Sequence, residues 1–160
     1  MKVGIISDTH GSMEAVDWAV SEAQDVELWI HAGDCSGDHA YLAKMSGVEV
    51  LGVAGNCDWP NENVPDERVV EAEGHRILVA HGHTYGVRYG TDMLAEAARD
   101  LDCDIAIYGH THVMECVQED VCILNPGSAA RPRDEVRPSF MTVELAEGKR
   151  PEVETYRRQV

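Results

Sequence analysis

Five short apolar runs of this chain each end in a cluster of side chains that can bind a metal ion. The clusters read Asp8-Thr9-His10, Gly33-Asp34, Gly55-Asn56-Cys57-Asp58, His81-Gly82-His83 and Gly109-His110-Thr111-His112. In α/β sheets, binding sites form where the carboxyl ends of strands open into loops. If the five runs are neighbouring parallel strands, all five clusters lie at one edge, and the glycines let the backbone turn sharply there.

The side-chain types in these clusters narrow the choice of metal. Carboxylate, imidazole and one amide oxygen suit divalent ions such as Mn, Fe, Zn, Ni or Co. The many histidines argue against calcium, and the absence of a paired-cysteine motif argues against a structural zinc site. The candidates exceed the needs of one ion. A carboxylate such as Asp34 can bridge two ions, and ions ~3.5–4 Å apart are a standard arrangement for phosphoryl displacement.

The elements that must position these clusters alternate between strand and helix signals. Apolar spacing with a helical period predicts helices over 12–24, with Ser12 as N-cap, and over 38–45 and 89–101. Short apolar runs predict strands over 3–7, 28–30, 48–53, 69–70, 77–79 and 105–108. The last third reads as strands over 113–117, 121–124, 140–145 and 153–156. Alternating units followed by a strand-rich tail predict one α/β domain with two sheets over residues 1–160.

Charge and composition exclude several classes of partner. The chain has 160 residues with 29 acidic and 13 basic side chains, a formal net charge of −16. Binding to a nucleic acid backbone or an anionic membrane is disfavoured, because both draw on Lys and Arg. No apolar run approaches the ~20 residues of a membrane span, and the N-terminal stretch is too short for a signal peptide. We therefore expect a soluble, cytoplasmic protein whose five cysteines stay reduced.

The order of the clusters resembles the motif set of the calcineurin-like metallophosphoesterase superfamily. Asp8-x-His10, Gly33-Asp34, Gly55-Asn56-x-Asp58, His81 and Gly109-His110-x-His112 occur in the order of that family's motifs. The short length and the cysteine after Asn56 resemble its small single-domain phosphodiesterase branch. The resemblance extends to the loop of residues 125–128 and implies a two-sheet β-sandwich flanked by helices, the four-layer fold of the family.

The resemblance also implies a dinuclear site. One ion would be held by Asp8, His10, Asp34 and His112, and the other by Asp34, Asn56, His81 and His110. Asp34 would bridge the two divalent ions, with manganese first and nickel, zinc, iron or cobalt as alternatives. A hydroxide shared between the ions would attack phosphorus in line, which makes the chain a metal-dependent phosphoric diester hydrolase acting on a small phosphodiester.

Position 57 departs from the family pattern. Most of the superfamily has a histidine where Cys57 stands, and a thiol is a weaker proton donor to a leaving alkoxide than an imidazolium. This favours diesters with good leaving groups over monoesters. His83 could take over the acid role, and Asp58 could either orient a ligand or cap a turn. The candidate catalytic residues are Asn56, Cys57, Asp58 and His83.

Several alternatives stay open. The same site could serve a phosphomonoesterase, and the retromer subunit that shares this fold suggests a non-catalytic scaffold. A nuclease is disfavoured by the acidic surface, and the family's small members suggest self-association. Arg131, Arg133 and Arg137 form a basic cluster that either contacts substrate phosphate or lies in a solvated loop. The remaining histidines (His31, His39, His75) are expected to be structural or solvated. The remaining cysteines (Cys35, Cys103, Cys116, Cys122) are expected in the core, and the tryptophans (Trp18, Trp29, Trp59) are expected to pack.

Overall fold

Two five-stranded sheets form the centre of the computed structural model, which describes residues 1–135 and 137–159. The strands are β1 (Lys2–Ile6), β2 (Leu28–His31), β3 (Glu49–Gly52), β4 (Glu67–Ala72), β5 (His75–Ala80), β6 (Ile105–Ile107), β7 (Met114–Gln118), β8 (Cys122–Pro126), β9 (Ser139–Glu144) and β10 (Glu152–Arg157). The helices are α1 (Met13–Glu22), α2 (Asp38–Ser46) and α3 (Asp92–Asp100), and two 3-10 turns span His83–Tyr85 and Val87–Tyr89. The predicted two-sheet α/β architecture is confirmed.

The first sheet has the order β10-β9-β1-β2-β3. Strands β1, β2 and β3 are parallel, because α1 and α2 return the chain to the same end of the sheet after each strand. Ser12 caps α1 by accepting a hydrogen bond from the Ala15 N–H, as its position before the apolar period predicts. Strands β9 and β10 extend this sheet in antiparallel fashion beyond β1.

The second sheet has the order β4-β5-β6-β8-β7, in which β5, β6 and β8 are parallel. A two-residue turn joins β4 to β5, and both turn residues, Glu73 and Gly74, have positive φ (50° and 77°) as such hairpins require. The five cluster-bearing runs are therefore not neighbours in one sheet. Three belong to the first sheet and two to the second, so the clusters meet where the ends of two stacked sheets come together.

Three apolar clusters hold the layers together. One fills the space between the sheets, with fully buried residues such as Ile5, Ile77 and Ile107. A second packs α1 and α2 on the outer face of the first sheet around Trp29, and a third packs α3 on the second sheet. Among the described residues, no helix combines the length and apolar character needed to cross a membrane.

Three sequence predictions are corrected here. Helix α3 begins at Asp92 rather than at Tyr89, because Gly90 adopts φ 133° and ends the preceding 3-10 turn. Trp59 was expected to pack but lies 90% exposed in the polar loop that follows β3. Cys116 was expected in the core but is exposed, because β7 is an edge strand that shows one face to solvent.

Candidate metal centre

The loops that carry the candidate ligands have unusual backbone conformations. Seven residues other than glycine have positive φ in the described part of the chain. Five of them are candidate ligands: Asp8, His10, Asp34, His110 and His112. Such conformations cost on the order of 1–3 kcal/mol each and persist only where the surroundings fix them, which is typical of functional sites. The strained loops turn the ligand side chains toward one another at the junction of the two sheets.

The first group of ligand atoms joins Asp8, His10 and His112. The Nε2 atoms of His10 and His112 lie 3.2 Å apart, and His112 Nε2 lies 3.3 Å from Asp8 Oδ1. His112 donates its Nδ1–H to the Arg131 carbonyl at 2.6 Å, so its Nε2 lone pair faces the other two ligands in the neutral ring. Asp8 Oδ1 is buried and has no hydrogen-bond partner within residues 1–135 and 137–159.

The second group centres on His81. Its Nδ1–H donates to the Ala32 carbonyl at 2.7 Å, and its Nε2 lies 3.1 Å from Asn56 Oδ1 and 3.4 Å from Asp34 Oδ2. His110 Nδ1 lies 3.2 Å from the same Asn56 oxygen. The neutral His81 ring thus points a lone pair at two oxygen acceptors, which is an arrangement that only a proton or a cation can stabilise.

Opposing electrostatic effects act on the pKa values of Asp34 and His81 in this second group. Burial opposes ionisation of Asp34, but hydrogen bonds from His81 and from the Cys57 N–H hold the pKa of this carboxyl well below its usual range. Burial lowers the pKa of His81, but Asp34 and Asp8 outweigh it and raise the pKa above the ordinary value. The same two carboxylates would favour a cation beside His81 Nε2, and such a cation would compete with a proton for that lone pair.

The donor set fits divalent metal ions by this test. Asp8 Oδ1 lies 3.3 Å from His112 Nε2 and 3.8 Å from His81 Nε2, so this one unpartnered oxygen borders both groups. All seven predicted ligands come together at the junction of the sheets. That Asp34 bridges two ions stays a prediction, since Asp8 is the carboxylate whose oxygen borders histidines of both groups.

Comparison with known proteins decides the family. The model of the calcineurin-like phosphoesterase superfamily domain matches residues 1–148. The chain belongs to this superfamily. A relative named probable metallophosphoesterase YsnB, from Bacillus subtilis, is 33% identical over 137 residues, which cover 83% of this chain and 78% of that protein. The phosphodiesterase MJ0936 from Methanocaldococcus jannaschii is 32% identical over 147 residues, covering 79% of this chain and 83% of that protein.

A solved structure of a protein with a different name, Vps29, has a similar fold. The wild-type Vps29 of Entamoeba histolytica, complexed with Zn²⁺, has a TM-score of 0.78 and 24% identity. The match covers 98% of this chain and 99% of that one. At this level of identity the likeness establishes a shared fold.

Asp58 holds the loops of this phosphoesterase site together. Its carboxylate accepts hydrogen bonds from the backbone N–H groups of Asp34 (3.0 Å), Ser36 (2.8 Å) and Gly55 (2.8 Å). The side chain therefore connects the Asp34 loop to the Asn56 loop, and both of its carboxylate oxygens already accept hydrogen bonds from the backbone. The hydrogen bonds to the Asp34 and Ser36 N–H groups agree with the ligand-orienting alternative for Asp58, and those with Gly55 close the turn of residues 55–58. Asp58 is therefore a positioning residue that also caps a turn.

The loop of residues 125–128 stabilises the ligand loops of the first group through hydrogen bonds. Asn125 donates to the Gly109 carbonyl and to Thr111 Oγ1, and Ser128 donates to the Asp8 carbonyl at 2.8 Å. Behind the site, the Thr9 hydroxyl lies 2.9 Å from His31 Nε2 and donates to Asp38 Oδ2 at 2.5 Å. Burial lowers the pKa of His31, so this histidine is a neutral structural partner, as expected from the sequence.

Cys57 and His83 occupy different positions at the rim. Cys57 is exposed in the cleft beside Asn56, and partial desolvation of its sulfur together with the charge of Asp34 raises the pKa of its thiol. His83 lies outside the cleft, with its ring centroid 5.6 Å from that of His81 and 6.1 Å from that of His110. Partial burial and the charge of His81 lower the pKa of His83.

A cleft of about 420 Å³ opens over the ligands, a volume typical of small-molecule sites. Arg131 and Arg133 line it, whereas Arg137 pairs with Glu135 through a 2.6 Å contact. Arg88 also lines the cleft and was missed by sequence reasoning, because a single arginine in a loop carries no spacing signal. The charged residues that line this cleft are therefore three arginines and, apart from the histidines, one carboxylate, that of Asp34.

Proposed function

We propose that this chain is a dinuclear metal-dependent phosphodiesterase that hydrolyses a small phosphodiester by in-line attack of hydroxide. The observation that carries the proposal is the convergence of imidazole and carboxylate lone pairs around the unpartnered Asp8 Oδ1. A cation pair at this position would lower the pKa of a bound water and neutralise charge on the phosphoryl oxygens. The relation to a protein named phosphodiesterase supports the same reaction.

The chain's own residues orient the ligands and leave a weak proton donor at the rim. The Ala32 and Arg131 carbonyls fix the rings of His81 and His112 in the tautomer that presents Nε2 to the site. Desolvation and the charge of Asp34 raise the pKa of the Cys57 thiol in the protein without metal. A thiol hydrogen bond assists a good leaving group but protonates a poor one slowly, which favours diesters with acidic alcohol or phenol leaving groups.

The choice of metal follows from the donor set. Imidazole, carboxylate and amide oxygen suit manganese, nickel, zinc, iron and cobalt, and availability decides among such similar ions. Manganese is our first choice, because oxygen donors make up a large part of the set. The zinc complex of the Entamoeba histolytica Vps29 shows that a protein of this fold takes a first-row divalent ion.

A metal titration with paired substrates tests the proposal. Metal-free protein is loaded with each of the five ions and assayed with bis-p-nitrophenyl phosphate and p-nitrophenyl phosphate. We expect two equivalents of metal per chain and faster turnover of the diester. The Asp34→Asn variant should bind less than two equivalents and lose turnover by about 10³-fold or more. Faster turnover of the monoester would instead identify a phosphomonoesterase.

A scaffold is the alternative from a different class. The fold shared with Vps29 is the observation that favours it. Against it, each of the seven predicted ligand positions holds a side chain that can bind metal. Absence of turnover on every diester, with metal bound at full stoichiometry, would favour the scaffold.

A further inference from the structure

The arginines of this chain divide into a paired set and an unpaired set. Of the thirteen cationic side chains three are lysines and ten are arginines. Six arginines bind a carboxylate or a carbonyl: Arg68, Arg76, Arg99, Arg137, Arg157 and Arg158. Among the described residues, the guanidinium groups of Arg88, Arg131, Arg133 and Arg150 make no hydrogen bond or ion pair.

Three of these four unpaired arginines line one cleft. Arg88, Arg131 and Arg133 surround the candidate metal centre, and Arg150 lines a cleft elsewhere. With 29 acidic side chains available, an unpaired guanidinium is not the default in this protein. The carboxylates nearest in sequence to Arg131 and Arg133 are already engaged, since Asp134 pairs with Arg157 and Glu135 with Arg137. The cleft therefore concentrates free positive charge for an external anion.

The backbone places two of these arginines against the metal ligands. His112 donates to the Arg131 carbonyl at 2.6 Å, and the Arg133 N–H donates to the His112 carbonyl at 2.9 Å. The Arg131 N–H donates in turn to Ser128 Oγ at 2.7 Å.

Arg88 comes from a different loop, between β5 and α3. Burial lowers the pKa of His110 and the charge of Arg88 lowers it further, as burial and the charge of Arg131 lower that of His10. The three arginines that line the cleft therefore come from two segments of the chain.

A count of the charges at the site indicates how much negative charge the arginines can bind. Two dications carry four positive charges. The Asp8 and Asp34 carboxylates, one hydroxide nucleophile and the single negative charge of a phosphodiester balance all four. The nearby Asp58 carboxylate would offset one of the three arginines, and the other two add positive charge that a simple diester leaves unmatched. Guanidinium groups bind phosphate oxygens through paired hydrogen bonds, and a cleft of about 420 Å³ accommodates more than one phosphate.

We infer that Arg88, Arg131 and Arg133 form a second anion subsite, so that the substrate is a small phosphodiester carrying a further phosphate beside the one that is cleaved. This inference rests on the proposed function for the first phosphate. The ligand is small, because three cationic side chains do not hold a nucleic acid polymer against a net charge of −16. The subsite selects the substrate through the part of the molecule that does not react.

Anion binding without metal is the first test, and it does not depend on turnover. Tripolyphosphate is titrated by calorimetry into the chelator-treated protein, into the triple variant R88Q/R131Q/R133Q, and into R150Q. We expect binding to the wild type and to R150Q, which removes an equally unpaired arginine from another cleft. The triple variant should bind more than tenfold more weakly, with an unchanged melting temperature showing that it folds. Equal binding by the triple variant and the wild type would overturn the subsite.

Substrate discrimination is the second test. The p-nitrophenyl ester of thymidine 5′-phosphate is compared with the same ester carrying a 3′-phosphate, using manganese-loaded protein. The 3′-phosphate should raise kcat/KM by about tenfold, mainly through KM, and each single arginine-to-glutamine variant should reduce that preference by about fivefold. Lysine at the same positions should restore part of it, because charge returns without the planar fork. Loss of the preference in R150Q as well would contradict the assignment.

The two proposals fail in distinguishable ways. If no diester is hydrolysed with any metal, the proposed phosphodiesterase function is wrong, and calorimetry still decides whether the arginines bind a polyphosphate. If diesters are hydrolysed without preference for the extra phosphate and tripolyphosphate does not bind, the reaction stands and the second subsite is wrong.

Discussion

Both ends of the sandwich bring aspartate and histidine together beside a cleft. At one end protein groups satisfy the hydrogen bonds of these side chains, and at the other end they do not. At the end opposite the ligands, His75 Nδ1 lies 2.5 Å from Asp104 Oδ2, and His75 Nε2 donates to the Ala146 carbonyl at 3.1 Å. Asp104 Oδ1 accepts from the Arg76 N–H at 2.9 Å. Every polar atom of this pair is therefore satisfied by the protein itself.

The ligand end leaves its acceptors facing one another. Asp8 Oδ1 has no donor in the described part of the chain, and His81 Nε2 and Asn56 Oδ1 lie 3.1 Å apart. The same residue types thus give a structural pair at one end and a cation site at the other. What separates the two is whether a protein donor or an external cation completes the hydrogen-bonding and charge balance.

Removing a carboxylate at the ligand end should separate function from stability most clearly. In Asp8→Asn, the amide can donate to a neighbouring imidazole nitrogen, which relieves the unpartnered oxygen. We expect metal binding to weaken and turnover to fall by about 10³-fold or more, while the free energy of unfolding of the metal-free protein changes by less than about 1 kcal/mol. Calorimetric metal titration and urea unfolding measure the two effects. A large loss of stability without metal would contradict the comparison.

A methyl group beside Asp34 should have the next largest effect. A Cβ at position 55 would meet the Asp34 carboxylate and lie 2.8 Å from the Asp34 backbone nitrogen. Gly55→Ala should therefore displace this ligand and reduce turnover by about 10²-fold, with a cost of about 1–3 kcal/mol in stability. Gly37→Ala is the matched control, since its Cβ would lie 3.9 Å from Cys35 Sγ and φ is −61°. Similar losses in both variants would rule out a specific role for Gly55.

The rim position 57 should have a smaller effect and only on poor leaving groups. Cys57→His would put a stronger proton donor in the cleft beside Asn56. Turnover of diesters with alkyl leaving groups should rise by about tenfold, and that of p-nitrophenyl diesters should change little. The ratio of the two rates is the measurement. An unchanged ratio would mean that position 57 takes no part in leaving-group departure.

A substitution of His75, at the end of the sandwich opposite the ligands, should change stability but not turnover. Burial lowers the pKa of His75, but Asp104 and the Ala146 carbonyl outweigh it and raise the pKa above the unfolded value. The stabilisation is therefore full below about pH 6.5, the ordinary histidine pKa, and is lost as pH rises through the folded pKa. His75→Gln should cost about 1–2 kcal/mol at pH 6 and less at pH 9, with turnover unchanged. Urea unfolding at the two pH values checks it, and an equal cost at both would contradict the assigned proton.

The sequence predicts the elements of this fold well where local signals act alone. The apolar period after Ser12 and the runs that end at Asp8, Asp34 and Asn56 correspond to α1 and to the parallel strands. The division of the five runs between two sheets could not be predicted, because it depends on long-range strand pairing. The exposure of Trp59 was missed for a related reason, since an aromatic side chain in a polar loop carries no periodic signal.

The candidate site shows the same division. Residue type and position after a strand predicted the candidate metal ligands that the structure brings together, because ligand chemistry is restricted to few side chains. Arg88 lines the cleft because of the path that its loop takes in the folded chain. Asp8 Oδ1 lies near histidines of both ligand groups because of the exact positions of these side chains in the fold. Neither property is encoded in local spacing.

The backbone connection between His112 and the segment of residues 131–133 has a consequence for measurement. Because the Arg133 amide is hydrogen-bonded to the His112 carbonyl, its exchange with deuterated solvent depends on how firmly that histidine is held. A cation that immobilises the ring should slow this single amide along with it. Occupancy of the centre could then be followed by mass spectrometry or NMR on a backbone proton, with no chromogenic ester in the tube.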